Sequence, residues 1–80
     1  MTGQGPPADT DGGPAAQRAA DRLALALEDV GFDVGQAFPM LHSGVSSDGL
    51  GFVELGRVTR EVAWSLAVVL AEAARRGVTL

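Results

Sequence analysis

Apolar positions along the 80 residues follow a helical rhythm at each end and lose it in the middle. Ala16, Ala20, Leu23, Leu27 and Val30 recur at spacings of four, three, four and three. At about 100° per residue they share one face, with Arg18, Arg22 and Asp29 opposite. This predicts a first helix from Pro14 to Val30. Proline suits the first helical position because its missing N–H has no partner there anyway. Gly31 supplies the left-handed stop. Leu25 falls among the polar positions and is exposed unless something covers it.

From Phe32 to Gly56 the glycines at 35, 44, 49, 51 and 56, with Gly31 just ahead, punctuate short runs rich in aromatic, aliphatic and β-branched residues. The runs "AFPMLHSGV" and "LGFVELG" flank "SSDG", which is turn chemistry. The pattern predicts a β-hairpin with strands near Ala37–Ser43 and Leu50–Leu55. Pro39 cannot donate a ladder hydrogen bond, so the first strand should be an edge or bulged.

The last helix is framed by Thr59 as N-cap, Glu61 in the first turn, Arg75 and Arg76 in the last turn, and Gly77 as the stop. On a helical wheel Val62, Leu66, Val69 and Ala73 cluster, with Leu70 beside them. They form the face expected to pack on the hairpin and the first helix. Ala63, Ala67, Ala71, Ala74, Trp64 and Val68 extend the apolar surface well beyond that face, and Trp64 lies nearly opposite it. A helix apolar nearly all round should be buried nearly all round. The expected fold is α+β, in the order α-β-β-α, with one hairpin packed against two helices. It comprises a disordered tail over residues 1–13 and a single domain over 14–80. A lone hairpin is marginal in water. Two hairpins side by side would make a four-stranded sheet, so dimerisation is expected to complete the fold.

Size sharpens that expectation. A chain this short buries only about 60% of its unfolded surface, and small domains compensate with disulfides, a metal or oligomerisation. There is no Cys and one His, His42, which closes the disulfide route and leaves no thiolate for a metal. Oligomerisation remains. The interface is expected at Trp64, Ala67, Val68 and Ala71 of the last helix, with Phe38 and Met40 of the hairpin. The competing reading makes Trp64 plain core, wrapped by the first helix and the hairpin.

Net charge is −4, from ten acidic residues against six basic ones, all Arg. An acidic chain without a basic stripe is a poor nucleic-acid binder. No N-terminal run reads as a secretory signal. The apolar run Val62–Ala71 falls far short of the roughly 20 residues that span a bilayer. A cytoplasmic protein is expected, without membrane or nucleic-acid partners and without a cofactor.

Candidate chemistry adds little. Asp9 and Asp11 before Gly12 suggest a calcium loop, but Ala20 stands where the distal Glu is needed. "HSGVSSDG" holds His42, three Ser and Asp48, yet triads are assembled from distant segments. His42 reads as an exposed or hydrogen-bonded strand residue. Gly49 and Gly51 start a dinucleotide-type glycine pattern that fails at Glu54, and they precede a strand. Glu54 should point away from the Val53 face, toward solvent or toward Arg57 or Arg60. No catalytic, cofactor-binding or metal-ligating residue is expected.

The segment "FVELGRVTREVAWSLAVVLAEAARRG" resembles one in small actinobacterial proteins of no settled activity. In these a helix, a hairpin and a closing helix are joined by a step such as Val53-Glu54-Leu55-Gly56-Arg57. The resemblance covers residues 20–76. It implies the same fold and no catalytic residue. Function is therefore expected in protein–protein interaction, as a homodimeric small regulator or accessory factor. The second expectation is a component of a hetero-complex, an antitoxin-like inhibitor or docking domain that adds a strand to its partner. The third is a small enzyme or ligand carrier with its site at a dimer interface.

Overall fold

A computed structural model describes residues 12–80. The predicted tail and its Asp9–Asp11 pair lie outside those residues, apart from Gly12 and Gly13, which belong to the first helix. The elements are α1 (Gly12–Asp29), α2 (Val34–Ala37), β1 (His42–Val45), β2 (Gly51–Glu54) and α3 (Arg60–Arg75). The fold is α+β with the expected helix–hairpin–helix order and one added helical turn.

Both long helices end alike. Past α1, the Gly31 N–H donates to the Glu28 carbonyl (3.0 Å) and the Phe32 N–H to the Leu27 carbonyl (3.0 Å), with Gly31 at φ +111°. Past α3, the Gly77 and Val78 N–H groups do the same to Ala74 and Ala73, with Gly77 at φ +88°. These are paired glycine-dependent closures of the last helical turn. At the start of α3, Thr59 is extended and its hydroxyl accepts the Val62 N–H at 3.2 Å.

The first half of the predicted strand is not a strand. The Asp33 carbonyl accepts from Gln36 (3.0 Å) and Ala37 (2.7 Å), forming the single turn α2. Phe38 leaves the helical region because it precedes Pro39. A second reverse turn, Leu41 N–H to Phe38 carbonyl at 3.1 Å, then leads into β1. Two short turns thus replace the extended segment Ala37–Leu41, and Pro39 is the first central residue of the second turn rather than part of a sheet edge.

The two strands pair antiparallel, with His42 opposite Glu54, Ser43 opposite Val53, Gly44 opposite Phe52 and Val45 opposite Gly51. Directly opposed residues share a face. Ser43, Val45, Gly51 and Val53 face α1, and the Ser43 hydroxyl donates to Gln17 at 3.0 Å. The approach at the N-terminus of α1 is very close. A Cβ on Gly51 would strike the Gly12 carbonyl and press on Ala16. Only glycine lets the helix lie on the strand here.

The core lies in this layer. Ala16, Ala20 and Leu27 of α1 are buried together with Phe38, which is 4% exposed and meets Phe32 edge-to-face at a centroid distance of 5.5 Å. Leu23 is half-buried. Val30, placed on the same face by the periodicity, is exposed just past the helix end.

The last helix departs from expectation. No side chain of α3 is buried. Val62, Leu66, Val69 and Ala73 are only half-buried, and α3 packs on neither strand to any extent comparable with α1. Ser65 and Val69 of α3 line a shallow cleft with Val30, Gly31 and Phe32 of the turn after α1. The linker between Glu54 and Arg60 carries no regular structure.

Candidate interaction surface

The outward side of α3 carries the largest exposed apolar residue of the described chain. Trp64 is 75% exposed, with Val68 one turn on and Leu70 60% exposed nearer the half-buried side. Ala67 and Ala71 are exposed between them. Trp64, Ala67, Val68 and Ala71 are therefore on one open helix surface, and Trp64 is not plain core. Among the described residues nothing wraps it.

The two hairpin residues expected at the interface part company. Met40 is exposed, seated beside Gly56, whose φ of +76° turns the chain toward the last helix. Phe38 is core. Its ring meets Phe32 edge-to-face and it is 4% exposed, so it has almost no surface left to offer a partner. The signal for this lies in the Phe38-Pro39 pair, because a residue held out of the helical region by proline ends a turn as readily as it begins a strand.

The outer face of the hairpin holds His42, Gly44, Phe52 and Glu54. Phe52 lies over Gly44, filling the space a side chain would take. The His42 and Phe52 rings meet nearly perpendicular at 6.5 Å. The His42 Nδ1 lies 2.7 Å from the Met40 carbonyl and its Nε2 lies 3.5 Å from Glu54. Glu54 points away from the Val53 face as expected, but it pairs across the ladder with His42 rather than with Arg57 or Arg60. The strand register decides this, and a single strand does not encode it. His42 is the exposed, hydrogen-bonded strand residue the sequence suggests.

The remaining polar groups of "HSGVSSDG" serve the turn. The Ser46 N–H donates to the Leu50 carbonyl at 2.8 Å and the Gly49 N–H to the Ser46 carbonyl at 2.9 Å, with Gly49 at φ +88°. The Ser46 hydroxyl donates to Asp48. That bond, together with the Leu50 N–H donating to the same carboxylate, holds Asp48 below the ordinary carboxylate range. His42 lies at the far end of a strand rising about 3.3 Å per residue, remote from Ser46 and Asp48. The Ser43 hydroxyl proton is committed to Gln17. In this segment the one hydroxyl that meets a carboxylate, Ser46 on Asp48, is part of the turn, and His42 makes its contacts with Met40 and Glu54 rather than with a serine. Among the described residues no three His, Asp or Glu side chains gather, and no helix is long and apolar enough to cross a membrane.

Compared with models of protein families, with curated proteins and with solved structures, the chain matches none. Its functional reading therefore rests on the open face of α3 and on hairpin edges that are unpaired among the described residues.

Proposed function

We propose that this chain is a non-enzymatic protein–protein interaction module, a homodimeric small regulator or accessory factor of the cytoplasm, assembled through the outer face of α3. One observation carries the reading: α3 buries none of its side chains within its own chain and leaves Trp64 three-quarters exposed. Tryptophan is a frequent interface anchor, because one side chain removes about 150–250 Å² from water when buried. Ala67 and Ala71 beside it let a second helix come close. The small size of the domain favours a second copy as the cover. The outer edges of the two strands are unpaired among the described residues, which leaves room for two hairpins to join as a four-stranded sheet in the same assembly.

Light scattering tests this directly. The protein at tens of micromolar is expected at twice the monomer mass, and Trp64→Ala is expected to return it to a monomer. A dimer indifferent to Trp64→Ala removes the tryptophan from its central role; a wild-type monomer removes the homodimer.

The free strand edges favour a second reading, a component of a hetero-complex that adds its hairpin to a partner's sheet. The net charge of −4 suits a basic partner. A single protein co-purifying in fixed ratio with a chain that is monomeric alone would select this reading over the first.

A further inference from the structure

We infer that two copies of α3 meet antiparallel, centred on Val68, with Glu61 of each copy facing Arg75 of the other. This rests on the homodimer reading and adds its geometry. Glu61, Trp64, Val68, Ala71 and Arg75 are spaced three, four, three and four apart, the spacing of a seam between paired helices. At about 100° per residue they occupy an arc of about 80°, on the opposite side from the Val62, Leu66, Val69 and Ala73 stripe. The whole seam is open: the Glu61 and Arg75 side chains are 75% and 74% exposed, and Trp64, Val68 and Ala71 are exposed between them.

The strip is apolar in the middle, acidic at one end and basic at the other. That polarity selects an orientation. Parallel helices would set Glu61 against Glu61 and Arg75 against Arg75, whereas antiparallel helices set opposite charges together at both ends. Helix dipoles add in the same sense, since antiparallel neighbours place opposite ends side by side. Side-chain size agrees. With the two-fold axis at Val68, Trp64 of one copy comes level with Glu72 of the other and about one residue rise from Ala71, so the large ring lies beside a small residue. In the parallel arrangement the two indoles would compete for one place.

The groups are available for this. Among the described residues Glu61 is held only by its neighbour Arg60 at 3.3 Å. Arg75 shares Glu72 with Arg76, and the Arg76 contact at 2.9 Å keeps Glu72 paired when Arg75 turns away. Exposed pairs of this kind are worth little, so exchanging them for contacts across a dimer costs little.

The absence of Cys from the chain makes the orientation directly readable. Chains carrying Glu61→Cys and chains carrying Arg75→Cys are mixed, oxidised mildly and separated under denaturing conditions. The mixture is expected to form a covalent heterodimer, while neither variant crosslinks with itself. In the antiparallel seam like positions lie about 21 Å apart along the axis, well beyond the roughly 7 Å limit for Cα atoms joined by a disulfide. Charge reversal gives the second readout. Glu61→Arg or Arg75→Glu alone is expected to weaken the dimer roughly tenfold, and the double variant to recover to within about threefold of wild type. Both reversals oppose the helix dipole, so an effect acting only through helix stability would make the double variant the weakest of the three. Self-crosslinking of each variant, a dimer with no 61-to-75 crosslink, or a double variant weaker than either single overturns the antiparallel seam and leaves the homodimer standing. A wild-type monomer at tens of micromolar overturns both.

Discussion

The layer formed by α1 and the hairpin and the lone helix α3 are built from similar residues and fare differently. Each helix has a regular apolar stripe, and each ends in a glycine closure of the same kind. Yet α1 buries Ala16, Ala20 and Leu27, while α3 buries nothing. The cause is the surface opposite. The strand beneath α1 presents Gly51 where the helix starts, so backbone meets backbone and the alanines of α1 reach the sheet. The stripe of α3 stays half-buried, and its Ser65 and Val69 line a shallow cleft with Val30 and Phe32 of the turn after α1. Amphipathicity makes a helix ready to be buried; a surface that permits close approach decides whether it is.

The largest test of this contrast lies in the core. Phe38→Ala removes a ring that is 4% exposed and is expected to cost about 3–5 kcal/mol, comparable with the whole stability of a domain this small. Leu66→Ala in α3 removes a half-buried side chain and is expected to cost about 1 kcal/mol. Urea unfolding of the two variants, at a protein concentration low enough to keep the chain monomeric, measures both. Equal losses would mean that α3 is as well packed as α1, and the contrast would disappear.

The same contrast explains which parts of the fold are legible in the sequence. Helix ends are local matters. Thr59, Gly31 and Gly77 announce their roles by type and position, and the structure places all three as expected. The turn at Ser46–Gly49 is equally local. The segment Ala37–Leu41 has a composition that suits both a strand and a pair of turns, and the turns are the arrangement in which Phe38 is buried beside Phe32. The His42–Glu54 contact depends on strand register, which no single strand encodes. On α3 the excess of apolar positions signals that a surface will remain open, and Trp64, Ala67, Val68 and Ala71 lie on it. The wheel does not show that the opposite stripe is only half covered, since that depends on where the linker after Glu54 sends the helix.

A helix with little tertiary support depends more on its own end signals. Thr59→Ala removes the hydroxyl that accepts the Val62 N–H and is expected to cost about 1 kcal/mol. The loss should appear locally. Hydrogen exchange should accelerate roughly fivefold in the first turns of α3 and stay nearly unchanged in α1, because local opening of the last helix leaves the core intact. Acceleration spread evenly over α1 and α3 would show the two regions opening as one unit. Raising the protein concentration should restore protection to α3 in particular if its outer face is the dimer contact, a response α1 should not share.

The smallest effect belongs to the hairpin turn, at the edge of the better-packed region. Asp48 is held below the ordinary carboxylate value of 3.8 by the Ser46 hydroxyl first and by the Leu50 N–H second. A carboxyl group whose value is depressed in the folded chain adds stability above its unfolded value of about 3.9, and loses it as pH falls through the folded value. The turn is therefore expected to hold at neutral pH and to loosen in acid. An NMR titration of the Asp48 carboxyl should give a midpoint below 3.8, and Ser46→Ala should raise it toward that value while leaving the α3 resonances unmoved. The effect is small because the group is exposed, and it is informative for where it stops. A turn that titrates without disturbing α3 shows that the two regions answer to separate contacts, whereas α3 shifts tracking the Asp48 midpoint would tie the last helix to the hairpin more closely than its packing allows.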